Sequence, residues 1–550
     1  MILTLDLGSS STRALLYDER AQLQSNAIAR QPFEFRAGAD GRSEDDPDAA
    51  LTRVEAVIDA AVSAPDAAQS PITAIGVSAY ACSLLCLDER GSPLTPVFTY
   101  ADTRAAEDAR ALRHELDEMG TLQRTGCRIR ANYWPARLAW LKRTQPDVFR
   151  RARWFVSLID YLNLRLFGQL RAGVSASSWT GMINRQTGDW DEAWLTRLGV
   201  AREQLPPVAQ DGEALRGLAG QYASRWPALR ETACYPPLGD GAAANIGSGC
   251  VDDSRIAITI GSTAAIRVVV SSQKSVVSSQ KSVVSSQKSV VSSQKSAVSS
   301  QNIEGTTYEI RNTEYEIRNT QYATRNPAQG TRLLQVPPAL WVYRVDHARN
   351  LIGGATTEGG NVFAWLNATL KLPDSDALEA ELSAMRPDSH GLTVLPMFGG
   401  ERSPGFADDA RATLHGLSFD TTPAAIARAC MESIAFRLAL IHDAVREVCQ
   451  PAGPGVLIAS GGALLRSATW RQIIADVTGV PVRVCNEPEA TSRGVALMVL
   501  LQSGALDNLQ TLPARLGQMH EPDATRHAIY QAAGQRQAGL YRLIVGHSPL

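Results

Sequence analysis

A two-lobed α/β fold with a cleft between the lobes is predicted by three features of this 550-residue chain. Short apolar runs that read as strands precede helical stretches in each half. A glycine- and hydroxyl-rich turn interrupts a strand pair in each half, at Gly8–Thr12 and Gly261–Thr263, and an apolar run enters Gly461-Gly462 late in the chain. Strands that end on glycine loops in both halves point to a nucleotide-sized cleft between two layered lobes.

In the first half, Ile2–Leu7 and Ala14–Tyr17 read as strands joined by a tight polar turn, and strand character continues to about Ala29. A helix is predicted near Asp48–Val62, then strands at Ile72–Ser78 and Ser83–Leu87, the latter closed by the turn Asp88-Glu89-Arg90-Gly91. Asp102–Met119 and Pro135–Phe167 read as mostly helical, and a boundary falls near residues 235–255. The N-terminal domain is placed at 1–248 and the C-terminal domain at 249–505, with a helical tail at 506–550.

In the second half, Ala264–Val270 and Leu340–Val345 read as strands and Asn361–Leu372 as a helix. In Pro423–Val448, Ile434, Leu438, Ile441 and Val445 recur at spacings of four, three and four, the stripe of a helix facing a core. Gly455–Ser460 reads as a buried strand and Trp470–Val477 as a helix stopped by Gly479.

Between the strands at Ala264 and Leu340 the unit Ser-Ser-Gln-Lys-Ser-Val-Val repeats with a period of seven, and from Tyr308 a second, unrelated seven-residue unit follows. Adjacent valines cannot make the three-four seam of a coiled coil, and serine-rich sequence offers little apolar surface against chain entropy. Residues 271–330 are therefore predicted to be a disordered low-complexity insertion, with a β-rich interaction arm as the alternative.

The composition excludes several classes. Lys and Arg total 54 against 56 Asp and Glu, a net charge of −2, so no basic field exists to attract nucleic acid. No apolar run approaches the ~18 residues of a membrane span, and the opening strand pattern is not a signal sequence, so a cytoplasmic location is expected. The eight cysteines form no CxxC pairs and are expected to be reduced and mostly buried. The oligomeric state is left open, a homodimer among the options.

The two glycine-bearing turns carry the chemistry. Gly8 lets backbone approach a polyphosphate, Ser9, Ser10 and Ser11 offer hydroxyls, and Arg13 can add charge-assisted bonds. Asp6 stands where a Mg²⁺ ion or its waters would be held. Near mid-chain, Gly239-Asp240-Gly241 followed by Gly261-Ser262-Thr263 forms the second half-site. Each turn alone is equally readable as a polar hairpin connection.

Taken together the motifs Asp6–Arg13, Tyr100-Ala101-Asp102-Thr103-Arg104, Gly239–Gly247, Ile258–Thr263, Gly400-Glu401-Arg402-Ser403-Pro404, Gly461-Gly462-Ala463 and Trp470-Arg471-Gln472 resemble, in order and spacing, the FGGY carbohydrate kinases. The resemblance covers nearly the whole chain outside the repeats. It implies a duplicated ribonuclease H-like (actin-like ATPase) fold, with a sugar-binding N-terminal lobe and ATP held mostly by the C-terminal lobe. By that resemblance Asp240 is the general base, and Gly261, Ser262, Gly360, Gly462 and Arg466 bind the nucleotide with the first loop, ATP and Mg²⁺ being the cofactors. Arg466 stands where relatives often have asparagine.

The acceptor pocket implied by the resemblance contains Tyr80, Cys82, Asp102, Arg104 and Asp240. Cys82 occupies a position where relatives commonly carry histidine, so contacts there must differ. For Asp102 a solvated helix-start role stands equal. The stretches Gly239–Gly249, Thr125–Cys127 and Tyr133–Ala136 look most like the gluconokinase branch, and Arg104, Arg128 or Arg130 could meet a sugar-acid carboxylate. The expected function is an ATP-dependent kinase of a small sugar or sugar acid, gluconate favoured, with xylulose or another pentulose, hexulose or polyol as alternatives. A non-catalytic nucleotide sensor is the alternative of a different class.

Overall fold

Two sheets of matching topology organise the chain, seen in a computed structural model that describes residues 1–272, 334–451, 453 and 455–546. The first is built from β1 (Ile2–Leu7), β2 (Ser11–Tyr17), β3 (Leu23–Pro32), β4 (Ala74–Ala79), β5 (Ala233–Cys234) and β6 (Leu238–Gly239). β3, β2 and β1 are antiparallel neighbours, and β4 joins β1 in parallel, with β5 and β6 parallel to β4. The second sheet contains β7 (Arg255–Ile260), β8 (Ala264–Ser271), β9 (Trp341–Arg344), β10 (Arg349–Thr356), β11 (Val456–Ser460), β12 (Val482–Cys485) and β13 (Leu516–His520). Here too an antiparallel trio, β10, β8 and β7, is followed by β11 and β12 in parallel. The duplication expected of a ribonuclease H-like fold is thus written in the strand order.

Each strand pair forms because its apolar residues alternate or run unbroken where both faces are covered. Every residue of β1 is buried, and Leu3, Leu5 and Leu7 pack with Val54, Val57 and Ile58 of α1 (Pro47–Val62). Asp46 caps that helix by accepting from the Asp48 and Ala49 amides. On the other face lie α2 (Asp240–Gly247) and α6 (Ala490–Gln502); Gly76 of β4 admits α6, since a Cβ there would stand 2.5 Å from Val495. A helix from the C-terminal half therefore covers the N-terminal sheet.

In the second half, α3 (Asn361–Thr369) follows β10, and α4 (Pro423–Cys449) lies on the sheet with Ile434, Leu438, Ile441 and Val445 each at most 1% exposed, the stripe read from spacing. The helix α5 (Ala468–Thr478) ends on Gly479 at φ +66°, a left-handed cap.

Three segments differ from the sequence reading. Within the tract expected to be helical, Trp154–Val156 is a strand paired with Leu85–Leu87, too short to impose a period of two. Helix formation after Asp102 waits until Ala106, because the Asp102 carboxylate accepts from the Arg104 amide and holds the chain in a turn. Beyond residue 505 the chain is not helix alone: β13 pairs with β12 before α7 (Ala524–Val545) begins. The expected insertion at 271–330 lies, from residue 273 onward, outside the described residues. No helix among the described residues is long and apolar enough to cross a membrane. All eight cysteines are free and buried, as the sequence suggested.

Candidate active site

The hairpins β1–β2 and β7–β8 close on short glycine-led turns. Leu7 pairs with Thr12 across the first and Ile260 with Ala264 across the second, leaving four residues, Gly8-Ser9-Ser10-Ser11, between the first pair and three, Gly261-Ser262-Thr263, between the second. Ser9, Ser10, Ser262 and Thr263 are exposed. Ser11 is instead buried at the start of β2, so the first tip presents two hydroxyls rather than three. The Gly8 amide donates to the Ser11 carbonyl at 3.1 Å, and the Gly261 amide to that of Thr263 at 3.0 Å, closing both tips.

Register determines what Asp6 does. It lies opposite Arg13 on β2 and Ser78 on β4, and its carboxylate accepts from the Arg13 guanidinium and, at 2.9 Å, from the Ser78 hydroxyl. Arg13 also donates to Glu489 at 2.6 Å, just before α6. The residue expected to bind phosphate is thus spent on two carboxylates, because the antiparallel pairing puts it across from Asp6. Asp6, with both oxygens engaged, fits a Mg²⁺ ion through bound waters better than through direct ligation.

Asp240 is the first residue of α2 and is half-buried. Trp179 explains the glycines on either side: a Cβ on Gly239 would stand 2.4 Å from its indole nitrogen and one on Gly241 2.7 Å from its ring. That ring stacks on Tyr343 with centroids 4.1 Å apart, and the Tyr343 hydroxyl meets that of Tyr133 at 2.5 Å. Burial pushes the Asp240 carboxyl up to about 6; the Asp6 charge adds to this and Arg267 opposes it. Arg267, on β8, reaches within 3.0 Å of a Cβ built on Gly241 and donates to Thr259 Oγ1 at 3.0 Å. A carboxylate with such a pKa, beside a fixed guanidinium, can accept a proton near neutral pH.

Cys82 sits at φ +60°, its thiol donating to the Trp179 carbonyl at 2.8 Å. Burial pushes that thiol up to about 12. Behind it Arg137, 2% exposed, donates to the carbonyls of Cys82, Phe98 and Thr99 and ties this turn to the segment carrying Asp102 and Arg104. Those two pair with each other at 2.6 Å, and Arg104 donates also to Glu44 at 2.6 Å. Asp102 is buried, so the solvated helix-start role is ruled out. Tyr80 is buried among Phe35 and Tyr100, its hydroxyl without a partner among the described residues.

At the second tip the Gly360 amide donates to the Gly261 carbonyl at 2.7 Å, and a Cβ on Gly360 would stand 2.6 Å from that oxygen. Gly462 is exposed at the start of a short helix, with the exposed Arg466 3.2 Å from a Cβ built on it. Gly461, at φ +89°, carries the conformational demand there, since a Cβ would collide with the Ile260 backbone. The sequence reading missed Trp179, Tyr343 and Arg267, and marked Tyr133 only as part of the Tyr133–Ala136 stretch: their contacts join residues far apart in the chain.

Two duplicated sheets, two hydroxyl-tipped hairpins and a carboxylate at the start of a helix define a phosphotransferase of the actin-like ATPase fold. The models of the FGGY family of carbohydrate kinases match residues 1–247 (N-terminal domain) and 342–502 (C-terminal domain). The chain belongs to that family. It is 23% identical to a gluconokinase of Bacillus subtilis, covering 100% of this chain and 96% of that one, and 23% identical to a xylulose kinase of Escherichia coli, covering 99% of each. A gluconate kinase structure from Lactobacillus acidophilus superposes with a TM-score of 0.81 at 22% identity, covering 100% of this chain and 98% of that one. The protein is a carbohydrate kinase, a phosphotransferase with an alcohol acceptor.

Proposed function

We propose that the protein transfers the γ-phosphoryl group of ATP to a hydroxyl of a small sugar acid, gluconate being the favoured acceptor. The observation that carries the proposal is Asp240, raised toward neutrality and set between the two hairpin tips' sheets beside Arg267. Full-length likeness to gluconokinases supports the choice of acceptor.

In this reading Asp240 orients the acceptor hydroxyl. As its oxygen bonds to the γ-phosphorus, the bond from that phosphorus to the bridging oxygen breaks, the proton passes to Asp240, and ADP leaves with the electron pair. The tips at Gly8–Ser10 and Gly261–Thr263 hold the phosphates by amides and hydroxyls, while Gly360, Gly462 and Arg466 flank the rest of the nucleotide. Asp6 would hold Mg²⁺ through water, and the ion would neutralise phosphate charge. Tyr80, Cys82, Asp102 and Arg104 shape the acceptor side, Arg104 and Asp102 by bracing each other. A cytoplasmic location completes the reading.

Asp240→Asn tests it. Turnover of gluconate should fall by about 10²–10⁴-fold while ATP–Mg²⁺ still raises the melting temperature. Full kcat in the variant would sink the assignment of the base.

A further inference from the structure

The three arginines that the sequence offered for an acceptor carboxylate are already taken. Arg104 is held by Asp102 and Glu44, Arg128 by Glu118 at 2.8 Å, and Arg130 by Asp408. Arg402 differs. It is half-buried and, among the described residues, its guanidinium has no acceptor.

Its backbone, in contrast, is fixed on both sides. The Glu401 amide donates to Ala407 at 2.8 Å, and the Glu401 carboxylate is held by Arg437 and, at 2.5 Å, by Tyr541. The Ser403 amide donates to Ala355 at 3.0 Å, and Phe406 closes a turn onto the Arg402 carbonyl at 2.7 Å. This loop of the C-terminal half grips the N-terminal half through Arg130, which donates to the Phe406 carbonyl at 3.2 Å, and through Arg113, 3.2 Å from Asp408. The Tyr133 amide donates to the Arg130 carbonyl at 3.2 Å, and Tyr133 packs in one cluster with Cys82 and Trp179, so the loop lies against the acceptor side, where the Arg402 charge acts on Cys82, Tyr133, Arg130 and Arg267. An uncommitted guanidinium on a pinned backbone is a preorganised fork for a carboxylate.

We propose that Arg402 binds the carboxylate of the acceptor and so sets the preference for a sugar acid over a neutral sugar. The inference rests on the acceptor reading above. Nucleotide phosphate is the competing anion, because the cavity that Arg402 lines also holds Thr357 and Glu358 near the second tip, but Cys82, Tyr133, Arg130 and Arg267, which feel its charge, belong to neither tip. Because the anchor comes from the C-terminal half and Cys82 and Tyr133 from the N-terminal half, the acidic end of the acceptor touches both.

The test compares wild type, Arg402→Gln and Arg402→Lys with gluconate, with glucitol (the same chain bearing CH₂OH in place of the carboxylate), and with ATP. Arg402→Gln should raise KM for gluconate about 10- to 100-fold, leave KM for ATP within about twofold, and leave the inhibition constant of glucitol unchanged. Arg402→Lys should recover part of the loss, as a point charge without the fork, and equal melting temperatures would exclude misfolding as the cause. An unchanged KM for gluconate in Arg402→Gln overturns the anchor alone, and a loss confined to ATP assigns Arg402 to phosphate and overturns it equally. Wild type that phosphorylates neutral sugars but no aldonate overturns the acceptor reading, and the anchor with it.

Discussion

Arg13 and Arg267 lie on the second strands of the two duplicated hairpins, yet Arg13 meets the carboxylate of Asp6 and Arg267 the hydroxyl of Thr259. The first strands carry these partners at matching places: Asp6 pairs across to Ser78, and Thr259 to Ser460, with a 2.9 Å contact between the two hydroxyls. One guanidinium is neutralised within its own sheet. The other keeps its charge for Asp240.

The consequence is a pH dependence. Asp240 acts as base only when ionised, so kcat/KM should fall as pH drops through about 6, the value to which burial raises it. Arg267 favours the ionised form, so Arg267→Gln should move the acidic limb to higher pH, by about one unit or more. A pH–rate profile with the limb unmoved would remove Arg267 from the environment of the base.

The crossing of α2 and α6 should tolerate no side chain at its two glycines. A Cβ on Gly247 would fall 1.7 Å from the Ala490 carbonyl oxygen, and one on Gly494 1.9 Å from that of Ala243. Both obstacles are backbone and cannot swing away. Gly494→Ala should cost about 3 kcal/mol or more, measured by denaturant unfolding. It should also lower kcat, because α2 begins at Asp240 and a displaced helix moves the base. Wild-type stability in Gly494→Ala would mean the helices do not meet so closely.

These glycines show where sequence reading stops. The hairpins, the stripe on α4 and the Gly-Asp-Gly turn were legible because each is a local pattern of period, composition or turn chemistry. Asp6 and Arg13 were legible as candidates, but their mutual pairing depends on strand register, which a hairpin of uncertain turn length does not specify. The stack of Trp179 on Tyr343 joins segments from both halves, and the freedom of Arg402 becomes visible only after the partners of the arginines near it have been assigned.

Glu358, two residues before Gly360, offers a stability test. It is 4% exposed, accepts from the Gly399 amide at 3.0 Å, and burial raises its carboxyl to about 7. A carboxyl raised in the folded state binds its proton more tightly there than in the unfolded chain. Folding stability from this group is therefore present at low pH and is lost as pH rises from its unfolded value near 4.5 through about 7. Glu358→Gln keeps the acceptor for Gly399 and removes the ionisation, so above pH 7 it should be more stable than wild type by up to about 3 kcal/mol, the gain vanishing near pH 4.5. A gain that does not depend on pH would show that the carboxyl is not perturbed.

The thiols give a chemical check on the packing around the acceptor side. Cys82, Cys127 and Cys250 are each at most 5% exposed, and burial holds all three well above the ordinary thiol range. Since the thiolate is the reactive species, native protein at pH 8 should react with a disulfide reagent far more slowly than free cysteine, and denatured protein should titrate all eight thiols at once. Saturating acceptor should slow Cys82 further, because its thiol is tied to the carbonyl of Trp179, whose ring packs against the glycines on either side of Asp240. Rapid native modification of Cys82, identified by mass of the labelled peptide, would show that the Cys82–Trp179 contact opens readily and that the pocket wall is mobile rather than fixed.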